Sequence, residues 1–492
     1  MKGIASMATL SPARADWPIL EGPSLRSRGK VRDTYELTDN TLLSVATDSI
    51  SIFDFVLNAR VPMKGIVLNA LNHFWSEHLK NFGIPTHLVD VGPAIDFHLP
   101  AHLKQNTDLQ SRASVIRRLE MAPVEFIYRA VLTGSSVSDY KADGTVCEHQ
   151  LPPGLQDGDS LPCILDTPTT KAEEGHDENM SFRQVREKYP DQVLLGSQIF
   201  QIGSSYAESR GIKLADTKFE FGTNGIIGDE IMTPDSSRFW ELKVWQEGRK
   251  LAIRTASPPY DKQLARVWGI GKGIKKRNPN NPEDVAWVHS LEVPAELIAQ
   301  TTRIYRYIFW RLTGYTIDRY LYEKMMVSIK IHPTIPKVAV VCGSESDVPA
   351  IKPVITEVNR DFANINLSVL SCHRNPVNVA EFASAVDADV MVCIGGKAFA
   401  LPGIMDAFLH YYGRNIPVIG VALGEPQSQA LRAAQLSIEE IPGAPVIMDE
   451  AKGVYTGTEG FISALSRIID GELPPPKPRT EKPVLLDVFR NY

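Results

Sequence analysis

The sequence predicts an α+β region followed by a three-layer α/β domain with a doubly wound parallel sheet. Before about residue 330, strands, charged loops and helices are mixed irregularly. After it, short apolar runs recur at 338–342, 365–370, 390–394 and 417–423, separated by stretches of helical length. Short buried strands that alternate with helices are typical of a parallel sheet covered on both faces. A chain of 492 residues is long enough for about three domains, or for two of which one is large.

The domain boundaries follow from composition. Residues 331–336 contain two prolines and predict a linker between one domain at 20–330 and a second at 337–472. Residues 1–19 are expected to be a disordered leader, with a faint transit-peptide composition as the alternative. Residues 473–492 are expected to be a tail, whose segment 485–489 could dock as an arm. Residues 145–180, rich in Pro, Gly, Asp and Glu, predict a long loop. Residues 296–328 are predicted to be helical.

Composition excludes several classes of protein. The net charge of −6 argues against a nucleic-acid-binding surface spread over the whole protein. No apolar run approaches the roughly 18 residues that a membrane span needs. Five cysteines without CxxC spacing indicate thiols in a reducing compartment, so we expect a cytoplasmic protein.

A strand predicted over 211–222 carries a distinctive charged face. Because side chains alternate along a strand, Asp216, Lys218 and Glu220 share one face, and the apolar residues between them share the other. Two carboxylates flanking a lysine are costly to bury unless they are compensated, and Mg²⁺ with phosphate would compensate them. The alternative is a solvated face.

A second cluster of charge begins a predicted strand in SRGKVRDTYEL (27–37). Lys30 and Arg32 follow a glycine, and such a turn can cover phosphates, although it is neither a Walker loop nor a GxGxxG motif. The alternative is an exposed basic hairpin.

Three further segments combine charge with hydroxyl groups or turns. In 121–136 an apolar strand ends in Arg129, followed by Thr-Gly-Ser-Ser, which suits an anion. In 167–180 Lys171 precedes a run of acids, for which a solvated loop is the alternative. In 229–240 Asp235 and Arg238 follow a turn proline.

Together and in this order, these segments resemble the SAICAR synthetases of purine biosynthesis. ATDSISIFDFVL (46–57), GIVLNALNHFW (65–75) and SPPYDKQLAR (257–266) extend the likeness over about residues 20–325. The resemblance implies a two-lobed α+β fold that joins L-aspartate to carboxyaminoimidazole ribonucleotide while ATP is hydrolysed. Because a carboxylate is a poor electrophile, ATP would first convert it to an acyl phosphate. All three substrates are anionic, which calls for cationic side chains and Mg²⁺.

The resemblance also assigns roles to the matched residues. Lys30 and Arg32, with Lys218 and Glu220, would bind the cofactor ATP, and Lys30 and Asp216 are expected to be catalytic. Magnesium would be bound by Asp216 and Glu220. Substrate would be contacted by Arg129, Ser135 and Arg238 at its phosphate, by Asp48, Ser49 and Asp54 near the imidazole or the incoming aspartate, and by Asp235. Lys171, Asp261 and Lys262 would line the cleft.

The second domain places polar residues at the ends of three successive predicted strands. The first is followed by Gly343, Ser344, Glu345, Ser346 and Asp347. The second ends in Ser371, His373 and Arg374, and the third in Gly395 and Gly396. Ligands of open α/β sheets bind at the carboxyl ends of the strands, so we expect a site there. The alternative for His373 is a structural histidine.

This half resembles aminoimidazole ribonucleotide (AIR) carboxylases over about 337–470, through GSESD (343–347), SCHRNP (371–376) and LPG (401–403). The resemblance implies a flavodoxin-like fold, an octameric homo-oligomer, and a site formed by Gly343, Ser344, Ser346, Asp347, Ser371, Arg374, Gly395 and Gly396. His373 would move the proton that leaves the imidazole carbon. The domain order favours use of CO₂ or bicarbonate, whereas an arginine after His373 favours a carbamate mutase. The altered loop GGKAFALPG (395–403) leaves open a degenerate domain that serves only assembly.

Overall fold

The computed structural model describes residues 18–171, 178–250, 260–328, 336–358, 363–449, 453–469 and 473. The chain divides into two compact units, Met1–Ile331 and His332–Tyr492. The predicted leader, linker and tail, including the arm at 485–489, lie almost wholly outside the described residues. Within the described part of the chain, no helix is both long enough and apolar enough to cross a membrane.

The first unit is an α+β structure, as predicted. Its strands are β1 (Leu25–Arg28), β2 (Arg32–Glu36), β3 (Thr41–Ala46), β4 (Ser49–Ile52), β5 (Phe55–Arg60), β6 (Leu88–Val91), β7 (Ala113–Arg117), β8 (Val124–Val131), β9 (Thr145–Val146), β10 (His149–Gln150), β11 (Ser160–Asp166), β12 (Thr169–Thr170), β13 (Ile212–Phe221), β14 (Ile227–Gly228) and β15 (Ser237–Glu241).

Helices connect and cover these strands. They are α1 (Lys64–Lys80), α2 (Thr107–Arg112), α3 (Ser135–Asp143), α4 (Phe182–Lys188), α5 (Pro190–Ser209), α6 (Leu242–Lys250), α7 (Gln263–Lys272), α8 (Pro282–Ser290), α9 (Ala295–Thr313) and α10 (Ile317–Glu323). Short 3₁₀ turns occur at Gly92–His98, Ala101–Leu103 and Ile274–Lys276.

Two antiparallel sheets organise the first unit. One has the order β1-β2-β3-β7-β6, and the other has the order β11-β8-β13-β14, with β12 paired to β8 and β15 paired to β13. The ten-residue β13 lies at the centre of the second sheet, because Phe219 and Phe221 on its apolar face pack into the main core with Phe126 of β8. Helices α1, α5 and α9 close this core with residues that include Trp75, Phe200 and Phe309.

Two predictions for this unit were too simple. The segment 145–180 contains β9 to β12, so it is not a plain loop; β11 and β12 both pair with β8. The region 296–328, predicted as helical, is interrupted at Gly314, whose φ of 75° ends α9 before α10 begins.

The second unit is a doubly wound parallel sheet. Its strands are β16 (Lys337–Cys342), β17 (Asn364–Val369), β18 (Val390–Gly395), β19 (Val418–Ala422) and β20 (Tyr455–Thr456). Its helices are α11 (Val348–Val358), α12 (Pro376–Ala385), α13 (Leu401–Tyr411), α14 (Gln429–Glu439) and α15 (Gly457–Ile469), with a 3₁₀ turn at Glu345–Asp347. All neighbouring strands are parallel, in the order β17-β16-β18-β19-β20. This is the predicted flavodoxin-like arrangement.

Candidate active sites

Three charged side chains from adjacent strands form a row across the central sheet of the first unit. Asp216 of β13 lies opposite Arg129 of β8 on one side and opposite Arg238 of β15 on the other. Both arginines donate from Nη1 to the same oxygen, Oδ2 of Asp216. Asp216 raises the pKa of Arg238, whereas burial lowers the pKa of Arg129. One carboxylate thus holds two guanidinium groups, and the row keeps an excess of positive charge.

The amino end of α3 lies against this row. A Cβ at Gly134, the residue before the helix, would lie 2.5 Å from Nη2 of Arg238, and Gly134 has a φ of 69°. Ser135 is the first residue of the helix. Free N–H groups at a helix amino end favour anions, so the row and the start of α3 bring together groups that suit the anion predicted from the sequence.

The start of α7 adds more charge to the same neighbourhood. Asp261 is 1% exposed; its Oδ1 accepts the N–H of Gln263 at 2.6 Å, while its Oδ2 has no hydrogen-bond partner within the described structure. Burial raises the pKa of Asp261 to about 6, against the opposing charges of Arg266 and Arg238. Burial and the charge of Arg238 lower the pKa of Arg266. The family resemblance placed Asp261 in the cleft without a stated role. Arg266 was not predicted.

Further along β13, Lys218 and Glu220 pair with each other and with charged residues of other segments. Lys218 donates to Glu125 at 2.6 Å and to Glu220 at 3.3 Å, and Lys171 also pairs with Glu220. Burial opposes the charge on Lys218, but Glu220 and Glu125 outweigh it and raise its pKa. Glu220 is 5% exposed, so the solvated-face alternative is wrong. Glu125 was missed because it lies on β8, far from β13 in sequence.

Arg32 connects this group to two acids that follow β14. It pairs with Asp229 and lies 3.5 Å from Glu230. Burial opposes ionisation of Asp229, yet Arg32 and Lys218 outweigh it and lower its pKa, whereas burial raises the pKa of Glu230. Both acids stand in the segment 229–240 that the sequence singled out, but only Asp235 and Arg238 were selected from it.

Asp235 belongs to a buried cluster beside these acids. Lys64 of α1 donates to its Oδ2 at 2.6 Å, and the hydroxyl of Tyr305 donates to its Oδ1. Lys262 lies near this cluster, and burial lowers its pKa to about 8. The charge of Lys262 interacts with that of Asp235, and the charge of Arg266 with those of Arg238 and Asp261.

The predicted residues of the β4–β5 region have separate environments. Lys30, in the turn between β1 and β2, lies 2.5 Å from Asp54 in the turn between β4 and β5, and both are partly exposed. Asp48 instead accepts the N–H of Gly65 at 2.9 Å and pairs with Arg112 at 3.1 Å. Ser49 is buried at the start of β4. Asp48 therefore anchors the start of α1, and Lys30 and Asp54 are the accessible pair.

The predicted pairing of Asp216 and Glu220 on one Mg²⁺ conflicts with strand geometry. A strand rises about 3.3 Å per residue, so positions four apart lie about 13 Å apart, beyond the joint reach of two carboxylates that each bind at about 2.1 Å. Asp216 is also held by two arginines. Asp229 is a better companion for Glu220, since Glu220 pairs with Gly228 across the strands and Asp229 follows directly. No group of three or more metal-ligating side chains occurs within the described residues, so any Mg²⁺ here would take phosphate oxygens or water molecules as its further ligands.

The second unit has a cavity of about 390 Å³ at the carboxyl edge of its sheet. Three of the residues selected from the sequence, Ser344, Ser371 and Arg374, line it together with Glu345, Val369 and Asn375. Arg374 donates from Nη2 to the carbonyl of Gly343 at 2.8 Å, which bridges the first two strand ends. His373 is exposed and is not among the lining residues. Neither are Gly343, Ser346 and Asp347, although burial raises the pKa of Asp347.

The third loop of this unit is filled by an aromatic ring. A Cβ at Gly395 would lie 2.5 Å from the ring of Phe399, and one at Gly396 would lie 2.8 Å from the carbonyl oxygen of Leu423. Phe399 is 4% exposed. Packing therefore accounts for both glycines, and neither lines the cavity.

Comparison with known families agrees with this division. Residues 25–280 match the family described as SAICAR synthetase, and residues 337–453 match the family described as AIR carboxylase. A phosphoribosylaminoimidazole-succinocarboxamide synthase of Corynebacterium ammoniagenes is 39% identical over 306 residues, which cover 58% of this chain and 93% of the relative. The corresponding protein of Saccharomyces cerevisiae is 37% identical over 306 residues, covering 59% and 94%.

A solved structure supports the fold of the first unit. The SAICAR synthase of Saccharomyces cerevisiae, determined with SAICAR bound, aligns with a TM-score of 0.52 and 34% identity, over 61% of this chain and 98% of the yeast protein.

Proposed function

The chain belongs to the SAICAR synthetase family, and from this premise we propose how its residues carry out two steps of purine biosynthesis. The first unit is an ATP-dependent ligase that joins L-aspartate to carboxyaminoimidazole ribonucleotide, and the second is an AIR carboxylase domain. The observation that supports the ligase site best is the row of Arg129, Asp216 and Arg238, which assembles an anion pocket from three strands.

In this proposal the row binds the phosphate of the ribonucleotide. Arg129 and Arg238 contribute charge, and the amino end of α3 with Ser135 contributes N–H and hydroxyl donors. Asp216 acts as a positioning residue, because one of its oxygens accepts hydrogen bonds from two guanidinium groups that repel each other. This role replaces the magnesium-binding role that the family resemblance implies for Asp216.

ATP would bind along the line of charge from Lys30 and Arg32 to Lys218. Glu220 and Asp229 are the carboxylates that would hold Mg²⁺, with phosphate oxygens completing its ligands. The ion would supply positive charge against the transferring phosphoryl group. Lys171 is paired with Glu220, and Lys218 is paired with both Glu220 and Glu125. Both lysines would turn from Glu220 toward phosphate when the nucleotide is present.

L-Aspartate carries two carboxylates and needs cations beyond those used by phosphates. Lys262 and Arg266 lie four residues apart at the start of α7. Lys262 is close enough to Asp235, and Arg266 close enough to Arg238 and Asp261, for their charges to interact. We place the aspartate carboxylates there, so that the amine faces the acyl phosphate formed from the ribonucleotide carboxylate. Asp54 and Asp235 remain proposed substrate contacts.

For the second unit, the cavity lined by Ser344, Ser371 and Arg374 would bind the phosphate of aminoimidazole ribonucleotide. His373 stands in the same turn and would move the proton of the imidazole carbon once substrate is bound. A domain that serves assembly alone remains the second candidate, because the ring of Phe399 occupies the third loop and His373 does not line the cavity. We also propose a cytoplasmic homo-oligomer, in line with the expectations from the sequence.

Product identification tests both halves of this proposal. Purified protein supplied with carboxyaminoimidazole ribonucleotide, ATP, Mg²⁺ and L-aspartate should form SAICAR, ADP and phosphate. Supplied with aminoimidazole ribonucleotide and bicarbonate, it should form carboxyaminoimidazole ribonucleotide, and the carbamate should be tested in parallel. SAICAR formation without either of the latter conversions would select the assembly candidate. Absence of SAICAR would refute the ligase site.

A further inference from the structure

A buried ion pair closes the hairpin that carries Lys30. Arg28 of β1 and Asp33 of β2 lie directly opposite each other in the antiparallel ladder. Arg28 donates from Nε to Oδ1 of Asp33 at 3.2 Å and from Nη2 to Oδ2 at 3.1 Å. The side chain of Asp33 is fully buried, and that of Arg28 is 11% exposed. Two parallel bonds between a guanidinium and a carboxylate fix the orientation of the groups as well as their distance.

The surroundings of Asp33 are unfavourable for a carboxylate. In β3 it lies opposite Val45, and Tyr35 shares its face of β2. Both of these residues belong to the apolar core on that face of the sheet. A charge in such surroundings is costly unless it is paired, and an apolar pair of similar volume is often at least as stable. Stability alone therefore does not account for the pair, and its geometry is the better explanation.

The backbone ladder that holds β1 is short. β1 is an edge strand of four residues, and its register with β2 shifts between Leu25 and Ser27. After the shift, two residue pairs in regular register lead to the turn, and the second of them is Arg28 with Asp33. The ion pair thus adds a side-chain restraint at the last position before the turn.

The turn that follows contains Lys30. Gly29 donates its N–H to the carbonyl of Arg32 at 2.8 Å. The carbonyl of Val31 accepts the N–H and the hydroxyl of Thr47, both at 2.9 Å. The bonds to Thr47 attach the turn to the residue that follows β3, while the ion pair closes its base.

We propose that Arg28 and Asp33 are positioning residues for ATP: their two parallel hydrogen bonds hold the β1–β2 turn in the conformation in which Lys30 reaches the phosphates. In this role neither of the two side chains touches the nucleotide. The inference rests on the proposed function, in which Lys30 binds ATP.

One substitution made at two positions of β1 separates positioning from charge. Arg28→Lys keeps a positive charge beside Asp33 but loses the planar fork that makes two parallel bonds. Arg26→Lys makes the same change in the exposed pair of Arg26 with Glu36 on the same two strands, where ion pairs contribute little.

Steady-state assays of the full chain should distinguish the two variants. Arg28→Lys should raise the KM for ATP about 5-fold or more, with kcat at saturating ATP within about 3-fold of wild type, because a displaced turn misplaces Lys30. Asp33→Asn leaves one full acceptor for the fork and should show the same rise, which keeps the test decisive if Arg28→Lys does not fold. Arg26→Lys should behave as wild type. A purely structural pair would change the unfolding temperature of these variants and leave the KM for ATP unchanged, which would overturn the proposal.

A measurement without catalysis tests the turn itself. In native-state hydrogen exchange without nucleotide, the amide of Gly29 should exchange about 10-fold faster in Arg28→Lys and Asp33→Asn than in wild type, because its bond to the carbonyl of Arg32 closes the turn. Arg26→Lys should leave this rate unchanged. Equal rates in all four proteins would overturn the proposal.

Lys30→Ala shows where a negative kinetic result belongs. If Lys30→Ala keeps the wild-type KM for ATP, the assignment of Lys30 to ATP is wrong, and the positioning role falls with it. If Lys30→Ala raises that KM whereas Arg28→Lys and Asp33→Asn do not, the proposed ATP site stands and the positioning role alone is wrong.

Discussion

In the proposed synthetase site, Asp216 organises its neighbours without touching the reacting atoms. Its oxygen accepts from two arginines that would otherwise repel each other, and it is 4% exposed. Removal of one member of a buried charged cluster leaves the other members uncompensated. Substitution of Asp216 should therefore be detected most directly as weaker binding of the anionic substrate.

Asp216→Asn and Asp229→Asn should fail in different ways. Asp216→Asn should lower kcat/KM for carboxyaminoimidazole ribonucleotide about 10- to 100-fold, because a hydrogen bond to a charged group contributes about 1.5–3 kcal/mol, while its Mg²⁺ dependence stays as in wild type. Asp229→Asn should lower kcat by about 10²-fold or more and raise the Mg²⁺ requirement. Steady-state kinetics with varied ribonucleotide and varied Mg²⁺ check this. Equal changes in the two variants would show that Asp216 and Asp229 share one role.

The buried carboxyl of Asp261 predicts a pH-dependent stability. Burial raises its pKa to about 6, whereas in the unfolded chain it ionises near its ordinary value of about 4. Between these values the folded protein retains a proton that the unfolded chain releases, so this group makes stability fall as pH rises from about 4 to 6, and the loss persists above.

Asp261→Asn keeps an oxygen for the N–H of Gln263 but cannot ionise. In urea unfolding of the full chain, the first-unit transition of the variant should be more stable than wild type at pH 7.5, by at most about 3 kcal/mol, with the difference vanishing at pH 4. Asp39→Asn, at an exposed position, should show no such trend. Equal stability of wild type and Asp261→Asn across this range would show that the carboxylate is compensated by its arginines.

At the scale of elements, α3 offers a matched pair of glycines. Gly134 precedes the helix and Gly144 follows it, with φ of 69° and 78°, so alanine is strained at both positions. A Cβ at Gly144 meets nothing within 4 Å, whereas one at Gly134 meets the guanidinium of Arg238.

Gly144→Ala should therefore lower stability by about 1 kcal/mol and keep wild-type kinetics, because only backbone strain is added. Gly134→Ala should in addition raise the KM for the ribonucleotide about 10-fold or more, since Arg238 must move from the anion pocket. Thermal unfolding and steady-state kinetics of both variants check this. Similar KM values in the two would show that Arg238 does not contact substrate.

At the scale of the whole molecule, the two units should fold independently. The motivation is the change of pattern near the prolines of 331–336, and each unit has its own hydrophobic core. Fragments 1–330 and 331–492, expressed separately, should each unfold cooperatively, and the first should retain SAICAR formation. Insoluble or non-cooperative fragments would show that the boundary or the independence is wrong.

A division of labour between the units predicts the behaviour of His373→Asn. Conversion of aminoimidazole ribonucleotide should fall about 10²-fold or more through loss of a general acid–base, while SAICAR formation from supplied carboxyaminoimidazole ribonucleotide stays unchanged. Full carboxylase activity in the variant would assign the proton to another group. An inactive wild-type domain would assign His373 a structural role only.

The sequence by itself determined the classes of both units and their family relationships. The apolar runs of the second unit correspond to β16 to β19. Strands β16, β18 and β19 are buried almost throughout, and such strands must be apolar along their length, whereas β17 lies at the edge of the sheet and is mostly exposed. The alternation in 211–222 placed Asp216, Lys218 and Glu220 on one face, because side chains of a strand alternate regardless of what surrounds it. The short two-residue β20 carried too little pattern to be predicted.

Only the tertiary structure decided which charges meet. Asp216 contacts Arg129, 87 residues earlier, and Arg238, 22 residues later, because β8, β13 and β15 are neighbours in one particular register. Glu220 likewise contacts Lys171, which is distant in sequence. Asp229 and Arg266 become candidates for the site only because the fold buries them beside these groups. The physical reason is that a charged side chain is stabilised by whichever partners offset its desolvation, and those partners are chosen by strand order and packing, which local sequence does not record.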